Sequence, residues 1–476
     1  MPLKETGISS EVVKPLTMPP TVFVDAQPAL SMKGIDAEQR FVRAILMARE
    51  DDVVLLNYQM DPLFIQYLAG LFGDNMPTIT QLAHSGDNTL TEDILTNSDN
   101  FAKAQAALKD RHVQYFIQMD KEVELAEKLD NTNEGETSTY SKDIRGTEKL
   151  GSKAGFREFC QKYKVPMPAG AIIGSDNPAE IQQIIRQVQE EVRGKVMLKA
   201  GAPGATGGEE MHSNTTVTEA DLQDVDAVVQ LLQRVSPAQP PYVVEEKIKT
   251  PEGCTKPPEG SLHIFIDNDG NVVIPPTLYG QISEYNTYVG GYAPIDDVTM
   301  PEAMRKKIID FANTTIVPAL KAEGLTGFHC MDFLFDPQTR DFRFIEDNTR
   351  PGALDFIAHF ADRVSDTFHP REPYAWMHHT LDIAGILRSQ HIIGENEKFV
   401  TTFEEVQAIV GTDLDPRSGE FALLSVPDVL PFSYALHLTT VSTGEESSVE
   451  MAKQNYDRIS KKIIDAFKTK RSRYQE

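Results

Sequence analysis

Apolar residues in this chain recur at two spacings. Val53-Val54-Leu55-Leu56 is a continuous apolar run ending on Asn57, and Pro62, Leu63, Phe64, Ile65, Tyr67 and Leu68 follow it. That pattern predicts a buried strand running into a helix. Phe156, Phe159, Cys160 and Tyr163 fall at helical spacing, and Val165-Pro166 ends that helix, because a residue preceding proline is driven out of the α region. Val196-Met197-Leu198 and Tyr242-Val243-Val244 read as short strands. Residues 301–324 read as one long helix broken near Pro318, and 327–350 as two apolar-rich runs around a polar turn. Beyond Pro373 come the apolar runs 421–426 and 434–441, then a helical pattern over about 449–468. Strand and helix signals that alternate in this way predict an α/β architecture.

Between these elements, residues 1–20 read as a loose tail, 130–141 (DNTNEGETSTYS) as a polar linker, and the Pro-rich stretch 236–241 as a divider between a helix and a strand. No internal repeat is visible. With 476 residues, 40% hydrophobic and 25% charged, the chain has material for two or three globular domains. Its formal net charge of −25 opposes a phosphate backbone or an anionic membrane surface, which argues against both as partners. Residues 1–20 lack a signal-peptide pattern and no apolar run is long enough to span a bilayer, so a cytoplasmic placement is expected. Cys160, Cys254 and Cys330 are widely spaced and two of them sit in apolar patterns, which predicts buried free thiols in preference to disulfides or a zinc site, with a catalytic cysteine as the alternative. His378-His379 is expected in helical surroundings without a third ligand nearby, as packed or solvated histidines.

The chemistry gathers in 327–350, which carries Asp332, Glu346, Asn348 and Arg350. A turn centred near Thr339 sets Asp332 opposite Glu346, and Asn348, two residues on, shares that face. Three hard oxygen donors suit Mg²⁺, with Mn²⁺ as an alternative, and Mg²⁺ is usually held together with substrate phosphates. The competing reading is a surface hairpin with solvated acids. Upstream, Lys199 ends an apolar run and is followed at once by Gly201, Ala202, Pro203, Gly204, Ala205, Thr206, Gly207 and Gly208, a loop able to close backbone N–H groups around phosphate. An ordinary flexible loop has the same composition. Lys153 opens the helix containing Phe156; the preceding GTEKLGSK superficially resembles a Walker A loop, but Ser152 stands where that pattern needs lysine. Val243, Val244, Glu245, Glu246, Lys247 and Ile248 form a strand running into acids, which suits an adenine edge or an edge strand ending in charge.

Taken in order, these four segments resemble the ATP-grasp superfamily of ATP-dependent ligases over roughly 145–360. The resemblance implies an ATP-grasp fold of two α+β subdomains gripping ATP, about 145–241 and 242–365 within a domain at 141–365. It implies ATP and Mg²⁺ as cofactors, with Lys153, Lys199 and the glycine loop on the phosphates. Glu245, Glu246, Lys247 and Ile248 would carry the adenine. Asp332, Glu346 and Asn348 would bind the metal, and Arg350 and Lys199 would act in the chemistry. The ribose contact is left open among Glu252, Glu259 and His263. Residues 21–140 resemble the pre-ATP-grasp domain of amino-acid and peptide ligases of the pheganomycin-synthase kind, and 366–476 form a C-terminal α/β segment that either covers the site or makes a homodimer face. The implied activity is ligation of a small-molecule carboxylate to an amine through an acylphosphate. Transfer to another acceptor and a silent ATP-binding regulator are the alternatives. The stretch 285–292 (YNTYVGGY) reads either as a loop lining the acid pocket or as an ordinary turn.

Overall fold

The computed structural model describes residues 20–24, 43–86, 88–109, 111–116, 120–132, 149–201, 214–235, 239–251, 257–267, 269–275, 277–284, 287–295, 299–336, 338–394, 397, 399, 401–425 and 435–475. The expected tail over 1–19, most of the 130–141 linker, Cys254, Glu252, and the loop residues Gly204, Ala205, Thr206, Gly207 and Gly208 lie outside them.

Three sheets organise the described residues, and the α/β architecture is the one expected. The first is parallel: β1 (Thr21–Val24), β2 (Val53–Leu56), β3 (Thr78–Gln81) and β4 (His112–Tyr115) in the order β3-β2-β1-β4. All four residues of β1 and of β2 are buried, as expected of parallel strands covered on both faces. The helix Pro62–Phe72 follows β2, with Pro62 at its start and Asp61 capping Leu63 N at 2.8 Å. The second sheet is antiparallel: β5 (Gly170–Ile173), β6 (Val196–Ala200), β7 (Asn214–Thr216) and β8 (Tyr242–Glu246), ordered β5-β8-β6-β7. The helices Pro178–Val192 and Val225–Gln233 bury Ile181, Ile185, Val188, Val228 and Leu231 against it.

The third sheet has nine strands: β9 (Glu259–Ile266), β10 (Val272–Val273), β11 (Tyr279–Glu284), β12 (Thr287–Ala293), β13 (Gly327–Asp336), β14 (Asp341–Asn348), β15 (Tyr374–Asp382), β16 (Glu420–Ser425) and β17 (Ala435–Thr443). They run β14-β13-β9-β11-β12-β15-β17-β16, with β10 on β9. Because β12 pairs with β15, the C-terminal strands continue the sheet that bears the hairpin. One hydrophobic cluster joins Phe64, Leu68 and Phe72 of the N-terminal unit to Phe360, Trp376, Phe421 and Ile459, so the N-terminal unit and the C-terminal segment share a core.

One local expectation is refined and two are corrected. The helix over 301–324 is interrupted near Pro318, as expected, but it does not end there. It runs through Glu302–Phe311, a π-helical turn at Ala312–Ile316 and Val317–Ala322; Pro318 has no N–H for the preceding turn, and the wider turn lets the chain continue. His378 and His379 lie on strand β15, not in a helix, and His437 from β17 stacks on His378 with ring centres 5.7 Å apart. Finally, the described part of 285–292 is strand, not loop. Its glycines admit close packing: a Cβ on Gly291 would meet Leu354 Cδ2 at 2.4 Å.

The helix Ala353–Phe368 carries a pH dependence. His359 is 6% exposed, and burial lowers its pKa from 6.5 to about 4. Between those values the unfolded chain binds the proton and the folded chain does not, so stability falls as pH drops through that window, by about 3 kcal/mol at most. His378, depressed first by burial and then by the charges of His437, His379 and Arg43, acts in the same direction. Asp362 opposes them: burial raises its carboxyl to about 6, so the folded state gains as pH falls from there to 3.8. The expected result is a net fall in melting temperature from pH 6.5 to 4, with a shallower slope in His359→Gln. An equal slope in the two proteins contradicts the assignment.

Candidate active site

The hairpin register is the feature on which the site is built. Asp332 stands opposite Glu346, and Cys330 opposite Asn348. The turn lies near Thr339 as expected, but the pairing next to it is out of the expected register by one residue, since Asp336 pairs with Asp341 and Phe333 with Phe344. A bulge between Asp332 and Phe333, with Ile345 as the extra residue, restores the pairing and returns Glu346 to the face of Asp332. On β9, Ser261 and His263 register with Asp332 and Cys330 and complete that face.

This face floors a cavity of about 310 Å³ that is also lined by Lys153, Lys199, Glu245, Glu246, Ile248, Gln281 and Arg350. Lys153 is the first residue of the helix Lys153–Tyr163, whose start is fixed by Ser152 accepting from Gly155 N at 3.0 Å. Its Nζ lies 3.2 Å from Glu346 Oε2. Lys199, on β6, reaches Glu245 Oε1 of the adjacent β8 at 2.5 Å. Arg157, one turn beyond Lys153, takes the other oxygen of Glu245 at 2.9 Å. Glu245 is 5% exposed and is thus the shared counter-ion of two buried cations. β8 is an interior strand between β5 and β6, which corrects the edge-strand alternative. Past it, Lys247 turns away to Thr216 Oγ1 at 2.8 Å.

Electrostatics single out the pair of carboxylates. Burial, and then the charge of Glu346, push the Asp332 carboxyl well above its usual range. Burial would also raise Glu346, but the ammonium groups of Lys153 and Lys199, with Arg350 contributing, outweigh it and hold Glu346 below the usual range. Gln281 Nε2 donates to Asp332 Oδ1 at 2.5 Å, and Asn348 Nδ2 to Oδ2 at 3.1 Å. Two opposed carboxylates and an amide, all hard donors on one face, fit a divalent cation such as Mg²⁺, whose charge would relieve their repulsion.

The ribose candidates separate. Glu259 accepts from Ser283 Oγ, whereas His263 is 4% exposed and both its ring nitrogens have protein partners, Asp355 Oδ1 at 2.5 Å and Ser261 Oγ at 3.0 Å. Asp355 also accepts from Cys330 Sγ at 3.1 Å and Gly352 N at 2.6 Å. Cys160 and Cys330 are free and buried as expected, and burial pushes both thiols up, so neither is a ready nucleophile.

Sequence reasoning missed Arg157, Gln281 and Ser261. The first lies at helical spacing from Lys153, a faint signal. The other two come from strands whose adjacency to the hairpin only the sheet order reveals.

Residues 41–130 match the family model described as the Pre ATP-grasp domain. No curated relative matches the sequence. Solved structures share the fold along most of the chain. The biotin carboxylase domain of the Hydrogenobacter thermophilus 2-oxoglutarate carboxylase, determined with MgADP and bicarbonate, aligns with TM-score 0.54 at 14% identity over 90% of this chain and 87% of that one. The N5-carboxyaminoimidazole synthetase of Staphylococcus aureus complexed with ADP gives 0.53 at 8% identity over 94% and 98%. The N5-carboxyaminoimidazole ribonucleotide synthetase of Thermus thermophilus gives 0.52 at 12% over 93% and 98%. The fold is therefore an ATP-grasp fold behind a pre-ATP-grasp domain. Among the described residues no helix is long and apolar enough to cross a membrane.

Proposed function

We propose that this chain, an ATP-grasp fold behind a pre-ATP-grasp domain, is an ADP-forming ligase that activates a carboxylate with ATP and joins it to an amine. The observation that carries the reading is the meeting of Lys153, Lys199 and Arg350 around Glu346, with Asp332 and Asn348 on the same hairpin face. Nucleotide complexes of fold neighbours support ATP as the substrate.

One substrate carboxylate oxygen attacks the γ-phosphorus and ADP leaves, giving an acylphosphate. The amine nitrogen then attacks the acyl carbon and gives up a proton, and phosphate departs carrying that carboxylate oxygen. Mg²⁺ at Asp332, Glu346 and Asn348 would neutralise phosphate charge. Lys153 and Lys199 offset the remaining charge, and Glu245 keeps Lys199 in place. Arg350 steadies the reacting carboxylate and its oxyanion. Glu246, Lys247 and Ile248 present backbone to the adenine.

Release of ADP and phosphate from Mg-ATP is measured over a panel of acids, bicarbonate included, crossed with amines, with mass spectrometry of the products. The expected result is release that needs one acid and one amine and yields their condensed product. Tight Mg-ATP binding with no turnover anywhere in the panel would favour the regulatory alternative; acid-dependent turnover without an amine would favour another acceptor.

A further inference from the structure

A second group of donors stands beside the hairpin metal face. One donor atom each from His263, Cys330 and Asp355 lie within 4.8 Å of one another, and the three residues are 4%, 2% and 3% exposed. They come from three elements: β9, β13 and the first turn of the helix Ala353–Phe368. No spacing along the chain displays such a set, so the positions of the cysteines alone argue against zinc. Although buried, His263 and Cys330 line the cavity, as does Gly352, and an ion therefore has a way in.

A nitrogen, a sulfur and an oxygen make a softer set than the oxygens of Asp332, Glu346 and Asn348, and one suited to Zn²⁺ in preference to Mg²⁺. Each donor is held from behind. His263 Nε2 pairs with Ser261 Oγ at 3.0 Å, which fixes the ring and leaves Nδ1 facing Asp355 Oδ1 at 2.5 Å. Asp355 Oδ2 accepts from Gly352 N at 2.6 Å, which steadies the carboxylate. Cys330 Sγ has Asp355 Oδ2 at 3.1 Å and Arg350 O at 3.2 Å, two acceptors for one hydrogen. Burial first, and then the charges of Asp355, Asp347 and Asp332, keep that hydrogen on sulfur. The same negative field favours a divalent ion in its place. Gly352 leaves room beside two of the donors: its φ of −71° suits any residue, yet a Cβ there would meet Cys330 Sγ at 3.1 Å and Asp355 Oδ2 at 3.4 Å.

We propose that His263 Nδ1, Cys330 Sγ and Asp355 Oδ1 form a second cation site, for a borderline divalent ion such as Zn²⁺, separate from the Mg²⁺ face of the hairpin. Binding exchanges the thiol hydrogen for a metal–sulfur bond, the proton leaves to solvent, and water from the cavity fills the fourth position. Tetrahedral ligands at about 2.0–2.3 Å from the ion stand about 3.3 Å or more apart, so the Asp355 carboxylate opens from the imidazole by roughly 1 Å. The ion then ties β9, β13 and the helix start together in the cavity wall. The site needs neither ATP nor a substrate, and stands whether or not the chain is a ligase.

Co²⁺ reports the site on the full chain, stripped of metal with a chelator and held in excess Mg²⁺ to fill the hairpin face. The expected result is one Co²⁺ bound with a sulfur-to-cobalt charge-transfer band in the near ultraviolet, displaced by Zn²⁺ and indifferent to further Mg²⁺. Cys330→Ser is expected to abolish the band and to weaken Zn²⁺ binding by about tenfold or more, and the double substitution Cys160→Ser with Cys254→Ser to leave both unchanged. No binding, cobalt that binds without the band, or a band that survives Cys330→Ser overturns the site. Should Cys330→Ser fail to fold, X-ray absorption on the Zn²⁺-loaded double variant decides: one sulfur at about 2.3 Å is expected, and a shell of nitrogen and oxygen alone overturns the assignment.

Discussion

Glu346→Gln is expected to lower ATP turnover by about a thousandfold or more while the protein still folds and melts cooperatively. The substitution keeps the shape of the side chain and removes its charge. Three consequences follow at one place. The opposed pair with Asp332 loses a carboxylate donor, so a divalent ion is held by one acid and one amide. Lys153, 3.2 Å away, loses the partner that aims it into the cavity. The positive groups around Glu346 are left without their common anion. None of this touches the packing of Phe333, Phe344 and Met331 on the opposite face of the hairpin, and so the fold persists. The rate of phosphate release and a thermal melt, measured on the same preparations, check both halves. An unchanged rate would remove Glu346 from the metal site.

The second large effect is on stability. Glu245→Leu leaves Lys199 and Arg157, 7% and 2% exposed, without the carboxylate that they share. Removing one partner from a buried ionic group costs about 3–5 kcal/mol, because the remaining charge is desolvated without compensation. Here two cations are stranded by one change. The first thermal transition is expected to fall by roughly 10 °C. Combining Glu245→Leu with Arg157→Met should recover part of the loss, since one of the stranded charges goes with it. A melt unaffected by the single substitution would show that Glu245 is not the counter-ion that holds Lys199.

Much of the candidate site was legible because its residues are close in sequence and obey a simple period. Asp332, Glu346 and Asn348 belong to one hairpin, and alternation was enough to place them on one face. That reading reached the right pairing by a route it did not contain: the pairs nearest the turn are out of register by one residue, and the bulge at Ile345 restores it. Helix periodicity likewise placed Lys153 at a helix start. What could not be read were contacts set by strand order. Arg157 and Glu245 meet across 88 positions of sequence, and nothing local to either marks the other. Arg350 and Phe116 meet because the N-terminal sheet packs against the hairpin end, a fact of tertiary placement. The errors in secondary structure have local causes. The segment YAWMHHTLD is short and mixed enough to suit either period, and its pairing with both β12 and β17 decides for strand. YVGGY has the composition of a loop, yet Gly290 and Gly291 are small because His378 O and Leu354 approach them.

The most direct test of the account follows an oxygen atom. Acids labelled with ¹⁸O in the carboxylate are supplied with Mg-ATP and the amine that supports turnover, and the released phosphate is analysed by mass spectrometry. Passage through an acylphosphate predicts one ¹⁸O in each phosphate molecule, in step with formation of the amide. Unlabelled phosphate released at the same rate would contradict carboxylate activation at this site.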